Sequence, residues 1–248
     1  MPRFFVDKNF IKDGYVTVSG PDAVHISRSL RMAKGEHITV CDGEGFEYDC
    51  ELTDFGESVT AKVIDRQESD TEPGFRVTVW QALPKGDKLD SIIQKAVECG
   101  ACEIRLFESE HCIAKSDPKS EEKKSERRNR IALEAAKQSG RGIIPKVVGC
   151  VSFNAMIVEA SFADIPLFCY EADGTEPLGR ILSEFDPEKM RGKSISIVIG
   201  PEGGFSSAEA QKAKDNGMIM TGLGKRILRT ETVVGFVLGA LVCRFELF

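Results

Sequence analysis

A short β-branched run that breaks into glycine, near the end of the chain, restricts the fold more than any other feature. Ile195, Ile197, Val198 and Ile199 form a short apolar stretch suited to a parallel strand covered on both faces. Gly200-Pro201-Glu202-Gly203-Gly204 follows at once, and its glycines open backbone angles and clear side chains from the main chain. A helix then restarts. Ser206 is placed to be its N-cap, Glu209 stands at the third position of a capping box, and Asn216-Gly217 supplies the C-cap. Met218-Ile219-Met220 reads as a second buried strand, and Gly222-Leu223-Gly224 as a second tight turn. Thr230 then precedes an apolar helix over Val233–Leu247. Two glycine turns at the carboxyl ends of two strands lie where an open α/β sheet holds its ligand. Such turns also join strands to helices in proteins where they bind nothing. Neither a Walker loop nor a Gly-x-Gly-x-x-Gly fingerprint is present, so the pattern points to a backbone-lined pocket without naming the ligand.

Upstream, the chain changes character once. Residues up to about 70 read as a small β domain, with strands near Val16–Val18, Ile38–Cys41, Phe46–Leu52 and Val59–Ile64. A hairpin turn falls at Asp42-Gly43-Glu44-Gly45, and a short helix over His25–Met32. The polar stretch Gln67–Gly74 closes in Pro-Gly and is the best linker. Strands and helices then alternate: strand Val77–Leu83, helix Asp87–Cys99, strand Glu103–Phe107, and later strands at Val147-Val148, Ile165–Cys169 and Ser194–Ile199. That is α/β with a mostly parallel sheet. The division expected is 1–72 and 73–248.

Charge argues mildly against a nucleic-acid partner, because the formal net charge is −6. The imbalance lies in residues 1–72, with eight Lys/Arg against fifteen Asp/Glu. The charge-dense stretch Lys115–Arg130 reads as a solvated loop and helix face, or as a loop that grips RNA. Met1–Asp7 lacks the apolar core of a signal peptide and no stretch reaches membrane-spanning length, so a cytoplasmic protein is expected. Of eight cysteines, Cys99, Cys102 and Cys112 lie near His111 and invite a zinc assignment. Cys99 falls where a helix ends and Cys102 where a strand begins, so the structural reading is preferred and no metal is expected.

Ile199-Gly200-Pro201-Glu202-Gly203-Gly204-Phe205, followed by Leu223-Gly224-x-Arg226-Ile227-Leu228-Arg229-Thr230-Glu231-Thr232, resembles a bacterial ribosomal RNA methyltransferase family of the SPOUT superfamily. His25, Leu30-Arg31, Gly35, Arg3-Phe4-Phe5 and Ala135–Arg141 with Ile144-Pro145 match it too. The resemblance implies methylation of N3 of a uridine in 16S rRNA of the small ribosomal subunit, with S-adenosyl-L-methionine as methyl donor. It also implies a PUA-like β-barrel over 1–72, a SPOUT domain with a deep trefoil knot over 73–248, and a homodimer whose pocket lies close to the partner. The cofactor would rest on Ile199, Gly200, Pro201, Glu202, Gly203, Gly204, Leu223, Gly224, Ile227, Leu228, Arg229 and Thr230. Adenine would pack on Leu223, Ile227 and Leu228.

Deprotonating uracil N3 leaves negative charge on the base, so the site wants a cation, and a proton acceptor is the second group to look for. Arg229 is the first candidate cation and Arg141 the second. Glu202 and Glu231 are the candidate acids; either could accept the proton or merely fix an arginine, and an Arg229–Glu231 ion pair is an equal alternative. Arg3, Arg28 and Arg31 are candidate phosphate contacts, or surface partners of the domain's many carboxylates. Two other functions stay open: the same fold acting on tRNA or another rRNA site, and a non-catalytic RNA-binding module.

Overall fold

The computed structural model describes residues 1–247, the side chain of Pro118 excepted; Phe248, the last residue of the expected second domain, lies outside them. The chain divides into two compact units. One holds Met1–Glu72 and Ala136–Ile144, the other Pro73–Ala135 and the chain from Pro145 onward.

In the first unit the strands are β1 (Arg3–Phe5), β2 (Ile11–Lys12), β3 (Tyr15–Val18), β4 (His37–Cys41), β5 (Phe46–Phe55) and β6 (Val59–Glu68). They form one sheet in the order β1-β4-β5-β6-β3-β2, antiparallel except where β1 runs parallel to β4. Residues two apart turn inward together: Val16 and Val18, Ile38 and Val40, Cys50 and Leu52, Val59 and Ala61 are all buried. Asp42 shapes the β4–β5 turn, its Oδ1 accepting from the amides of Glu44 (2.8 Å) and Phe46 (3.1 Å). The helix expected from His25 begins earlier. α1 (Gly20–Val24) starts behind Ser19 with Pro21 in its first turn, and the chain continues as a π-helical turn over His25–Ser29. β1 is too short for its periodicity to announce it.

Two arginines expected to serve RNA or catalysis have other partners here. The Arg3 fork is filled by Glu47, with Nη1–Oε1 at 2.6 Å and Nη2–Oε2 at 3.1 Å. A guanidinium paired bidentately to a carboxylate has no fork left for a phosphate. Arg141 is buried, and its Nε and Nη2 bind the Glu72 carboxylate at 2.6–3.0 Å. Glu72 Oε1 also accepts from the amides of Gly142 and Ile143. The segment 136–144, expected in the second domain, thus folds with the first unit, and Arg141 is its brace.

The second unit contains β7 (Arg76–Ala82), α2 (Lys88–Glu98), β8 (Glu103–Glu108), α3 (Pro118–Ser139, its last turn in the first unit), β9 (Lys146–Ser152), α4 (Phe153–Ala160) and β10 (Ile165–Cys169). β11 (Glu176–Pro177), α5 (Leu178–Ser183), β12 (Ser194–Ile199), α6 (Ser207–Asp215), β13 (Ile219–Gly222) and α7 (Thr230–Phe245) complete it. Seven strands form a wholly parallel sheet, β11-β13-β10-β12-β7-β8-β9. Every residue of β10 and all but the first of β12 are buried, as covering on both faces demands. The α6 capping box forms as its sequence predicts: Ser206 Oγ accepts from the Glu209 amide, and Glu209 returns the bond to the Ser206 amide. α7 begins three residues before the expected Val233, because Arg229 takes the N-cap with extended backbone. The charge-dense stretch lies mostly on α3, where Arg127 pairs with Asp90 and Arg128 with Glu121. Among the described residues no helix is long and apolar enough to cross a membrane.

Phe205 fastens the loop after β12 to the sheet. Its ring packs 4.3 Å from Phe168, 6.1 Å from Phe153 and nearly parallel to Phe107 at 6.3 Å, centroid to centroid. Phe205→Ala should therefore lower stability by about 3–5 kcal/mol in chemical denaturation, the usual loss for a buried phenylalanine.

Candidate active site

A cavity of about 320 Å³ opens at the carboxyl ends of β10, β12 and β13. That is at the lower end of the range for small-molecule sites. One wall is the loop after β12, from Ile199 to Phe205; another is Gly222 to Thr230, running from β13 into α7; the third follows β10 and includes Tyr170, Glu171 and Thr175. The sheet order explains the position. β13, β10 and β12 are neighbours in the sheet, so the loops leaving their carboxyl ends converge at one edge of it.

Thr230 holds two of these walls together. Its Oγ1–H donates to the Gly200 carbonyl at 2.9 Å and its oxygen accepts from Gln81 Nε2 at 3.0 Å. Both Thr230 and Gln81 are buried. The first turn of α7 is thereby tied to the glycine loop and to the end of β7. The glycines are there for space. A Cβ on Gly200 would meet the Phe205 ring at 3.0 Å, and one on Gly222 the Thr175 Oγ1 at 2.6 Å. Gly204 has φ +67°, and a Cβ there would come within 2.4 Å of Glu171 Oε1.

The charges are unevenly matched. Lys88 Nζ lies 2.8 Å from Glu202 Oε1 and 3.9 Å from Glu231 Oε2. Burial works to raise the Glu202 carboxyl, but hydrogen bonds from Lys88 and from backbone amides, Lys85 among them, outweigh it and hold its pKa below the ordinary value. The sign follows: this pairing stabilises the fold at neutral pH and is lost as acid protonates Glu202 below the usual carboxylate range. Burial pushes the Cys169 thiol on the β10 wall up to about 12, so it stays protonated and is no nucleophile. Arg226 and Arg229 line the cavity with exposed side chains and no ion pair to a described carboxylate.

Residues 71–242 match a family described as RNA methyltransferase domain, and residues 18–64 one described as RNA methyltransferase PUA domain. The chain belongs to the RNA methyltransferase family. The ribosomal RNA small subunit methyltransferase E of Bacillus subtilis (strain 168) is 35% identical over 251 residues, covering 100% of this chain and 98% of that protein. The protein of the same name from Mycobacterium bovis is 30% identical over 244 residues, covering 96% and 90%. A crystal structure of a ribosomal RNA small subunit methyltransferase E from Neisseria gonorrhoeae, bound to S-adenosyl methionine, superposes with a TM-score of 0.81. It is 29% identical and covers 98% of this chain and 97% of that one.

In this RNA methyltransferase the cavity gathers Ile199, Gly200, Pro201, Glu202, Gly204, Leu223, Gly224, Ile227, Leu228, Arg229 and Thr230 from the expected set. Gly203 is turned away: its carbonyl accepts from His111 Nδ1 at 3.0 Å, and a Cβ on it would meet His111 Cβ at the same distance. Glu231 points to Lys88, beside the cavity instead of in its lining, and this replaces the Arg229–Glu231 pair considered from sequence. Sequence reasoning missed Lys88, Glu171, Thr175 and Arg226. Tyr170-Glu171 directly follows a buried parallel strand, so the strand-end argument used for Gly200 would have found it. Lys88 gave no signal, being one lysine at the start of an ordinary helix.

Replacing the Thr230 hydroxyl should loosen the site. Thr230→Val leaves the Gly200 carbonyl unpaired and should cost about 1–3 kcal/mol in urea unfolding, while Thr230→Ser should stay near wild type.

Proposed function

We propose that the chain is an S-adenosylmethionine-dependent methyltransferase that methylates N3 of a uridine in 16S rRNA of the small ribosomal subunit. The carrying observation is the cavity between the two glycine turns, in a chain whose relatives bear small-subunit methyltransferase names. Its character fits an adenosine-bearing ligand: apolar walls at Ile199, Leu223, Leu228 and Val233, exposed main chain at Gly200 and Gly224, and a carboxylate at Glu171. When bound, S-adenosylmethionine supplies an electrophilic methyl group on a sulfonium leaving group.

The chain's own residues do the remainder. The glycine turns hold the donor on backbone amides, and the tie through Thr230 keeps those turns in register before any ligand arrives. Arg229, lining the cavity without a carboxylate partner, stabilises the negative charge that spreads over the uracil carbonyl oxygens once N3 loses its proton. Glu202 is a poor base at its depressed pKa; it fixes Lys88 instead. With the base anion favoured by Arg229, the proton can leave to water.

Arg28 and Arg31 are the phosphate contacts in this reading. Both are exposed, and neither is paired with a described carboxylate. Arg31 has φ 53°, a backbone conformation that a non-glycine residue holds at some cost and that clusters at functional segments. The same reading includes the knot of the superfamily, a cytoplasmic setting and a homodimer. An exposed stripe on α7 of Phe236, Gly239 and Cys243 supports the dimer.

The test is to incubate small subunits lacking the modification with labelled S-adenosylmethionine and map the label. Methyl on N3 of one 16S uridine is expected; label on tRNA or at another position would transfer the activity to that target. Arg229→Ala should lower kcat roughly 100- to 1,000-fold. Its S-adenosylmethionine Kd by calorimetry should stay within about twofold, since the arginine acts on the base. A parallel loss of Kd would make Arg229 a donor-holding residue.

A further inference from the structure

Ile227 is 89% exposed, more than any other large apolar side chain among the described residues. It sits on the short loop between Gly224 and the α7 N-cap, at the mouth of the cavity. A lone exposed isoleucine is ordinary. Its neighbours are not. Lys225, Arg226 and Arg229 are exposed around it, and none pairs with a described carboxylate. Lys88, across the cavity, is by contrast matched by Glu202. The mouth of the cavity thus carries an apolar tip ringed by unneutralised positive charge.

That combination is complementary to one kind of partner. Unpaired cations attract a phosphate backbone, and an apolar side chain between them can enter a base step. A base whose ring atom must reach a recessed methyl donor has to leave its stack, and the gap it leaves must be filled or kept open. We infer that Ile227 is a wedge that inserts into the RNA beside the target base and holds it unstacked, while Lys225 and Arg226 grip the flanking phosphates. The inference rests on the RNA-methyltransferase reading above and deepens it. It also moves Ile227 from the adenine wall, where sequence reasoning put it, to the RNA side of the cavity. Gly224, with φ +99° and open space at its Cβ position, gives the loop a pivot at its start.

The test uses the full chain with small subunits, and an RNA stem-loop carrying the target uridine with 2-aminopurine beside it. For Ile227→Ala, kcat/KM on subunits should fall roughly 10- to 100-fold, the scale of unstacking one base step. The 2-aminopurine fluorescence rise seen with wild type should be lost. Ile227→Leu, which keeps an apolar wedge, should retain both. The S-adenosylmethionine Kd of Ile227→Ala should match wild type. A weakened Kd would return Ile227 to the donor wall and overturn the inference. Unchanged turnover and fluorescence would overturn it as well. So would a shift from dimer to monomer in sedimentation, which would assign the tip to an interface between copies. Wild-type protein that methylates no subunit would instead sink the parent reading, a result distinct from all of these.

Discussion

One hydroxyl joins the parts of the second unit that have to act together. Thr230 connects Gln81, 149 residues earlier at the end of β7, to the carbonyl of Gly200, 30 residues earlier in the glycine loop. Thr230 and Gln81 are buried, where water cannot easily substitute, so leaving either unpaired is costly while the net gain of making each bond is modest. The consequence is geometric more than energetic. The first turn of α7 cannot move without the glycine loop, and the glycine loop cannot move without Phe205, whose ring is locked among Phe107, Phe153 and Phe168. A pocket made of main chain has no side-chain forks with which to adjust to a ligand. It must be shaped in advance, and this linkage does the shaping.

Outside that linkage, the second unit braces the other side of the same loop with Glu209. Its carboxylate completes the α6 capping box and also accepts from Ser109 Oγ and the Glu110 amide. One buried acid thus serves a helix terminus and two segments about a hundred residues apart. His111 meets the Gly203 carbonyl from the same loop. Gly203 therefore has no side chain because the histidine lies against it, whereas Gly204 has none because the Glu171 carboxylate does. Adjacent glycines in one motif answer to different neighbours.

This is also where reading from sequence divides. The β12 strand, the α6 cap and the two turns were legible because their causes are local: a β-branched run, a serine three residues before a glutamate, glycines at strand ends. Most of the cavity lining followed from those. The partners of Arg3 and Arg141 were not legible because they are distant in sequence. Glu47 is 44 residues from Arg3, and Glu72 is 69 residues from Arg141. No periodicity predicts which of fifteen acids in an acidic unit will meet a given guanidinium. Lys88 escaped notice for the same reason, since its meaning comes from Glu202 and Glu231, each more than a hundred positions away.

The distribution of unpaired cations bears on how an acidic protein can meet RNA. Net charge of −6 gives no general attraction to a polyanion. In the first unit Arg3, Lys8 and Lys34 are taken by Glu47, Glu44 and Asp54. Arg66 lies over the Phe46 ring at 3.8 Å. Arg28 and Arg31 have no described carboxylate partner, and lie on a segment whose π turn and left-handed arginine are both departures from ordinary helix. In the second unit Lys225, Arg226 and Arg229 stand together without a described carboxylate partner, on one loop beside the cavity. Binding that depends on a few fixed positive points, against a repulsive background, discriminates by geometry: a phosphate chain gains only if it follows those points. An acidic chain of this kind can therefore be more selective for one folded RNA surface than a uniformly basic one, because misplaced RNA meets carboxylates.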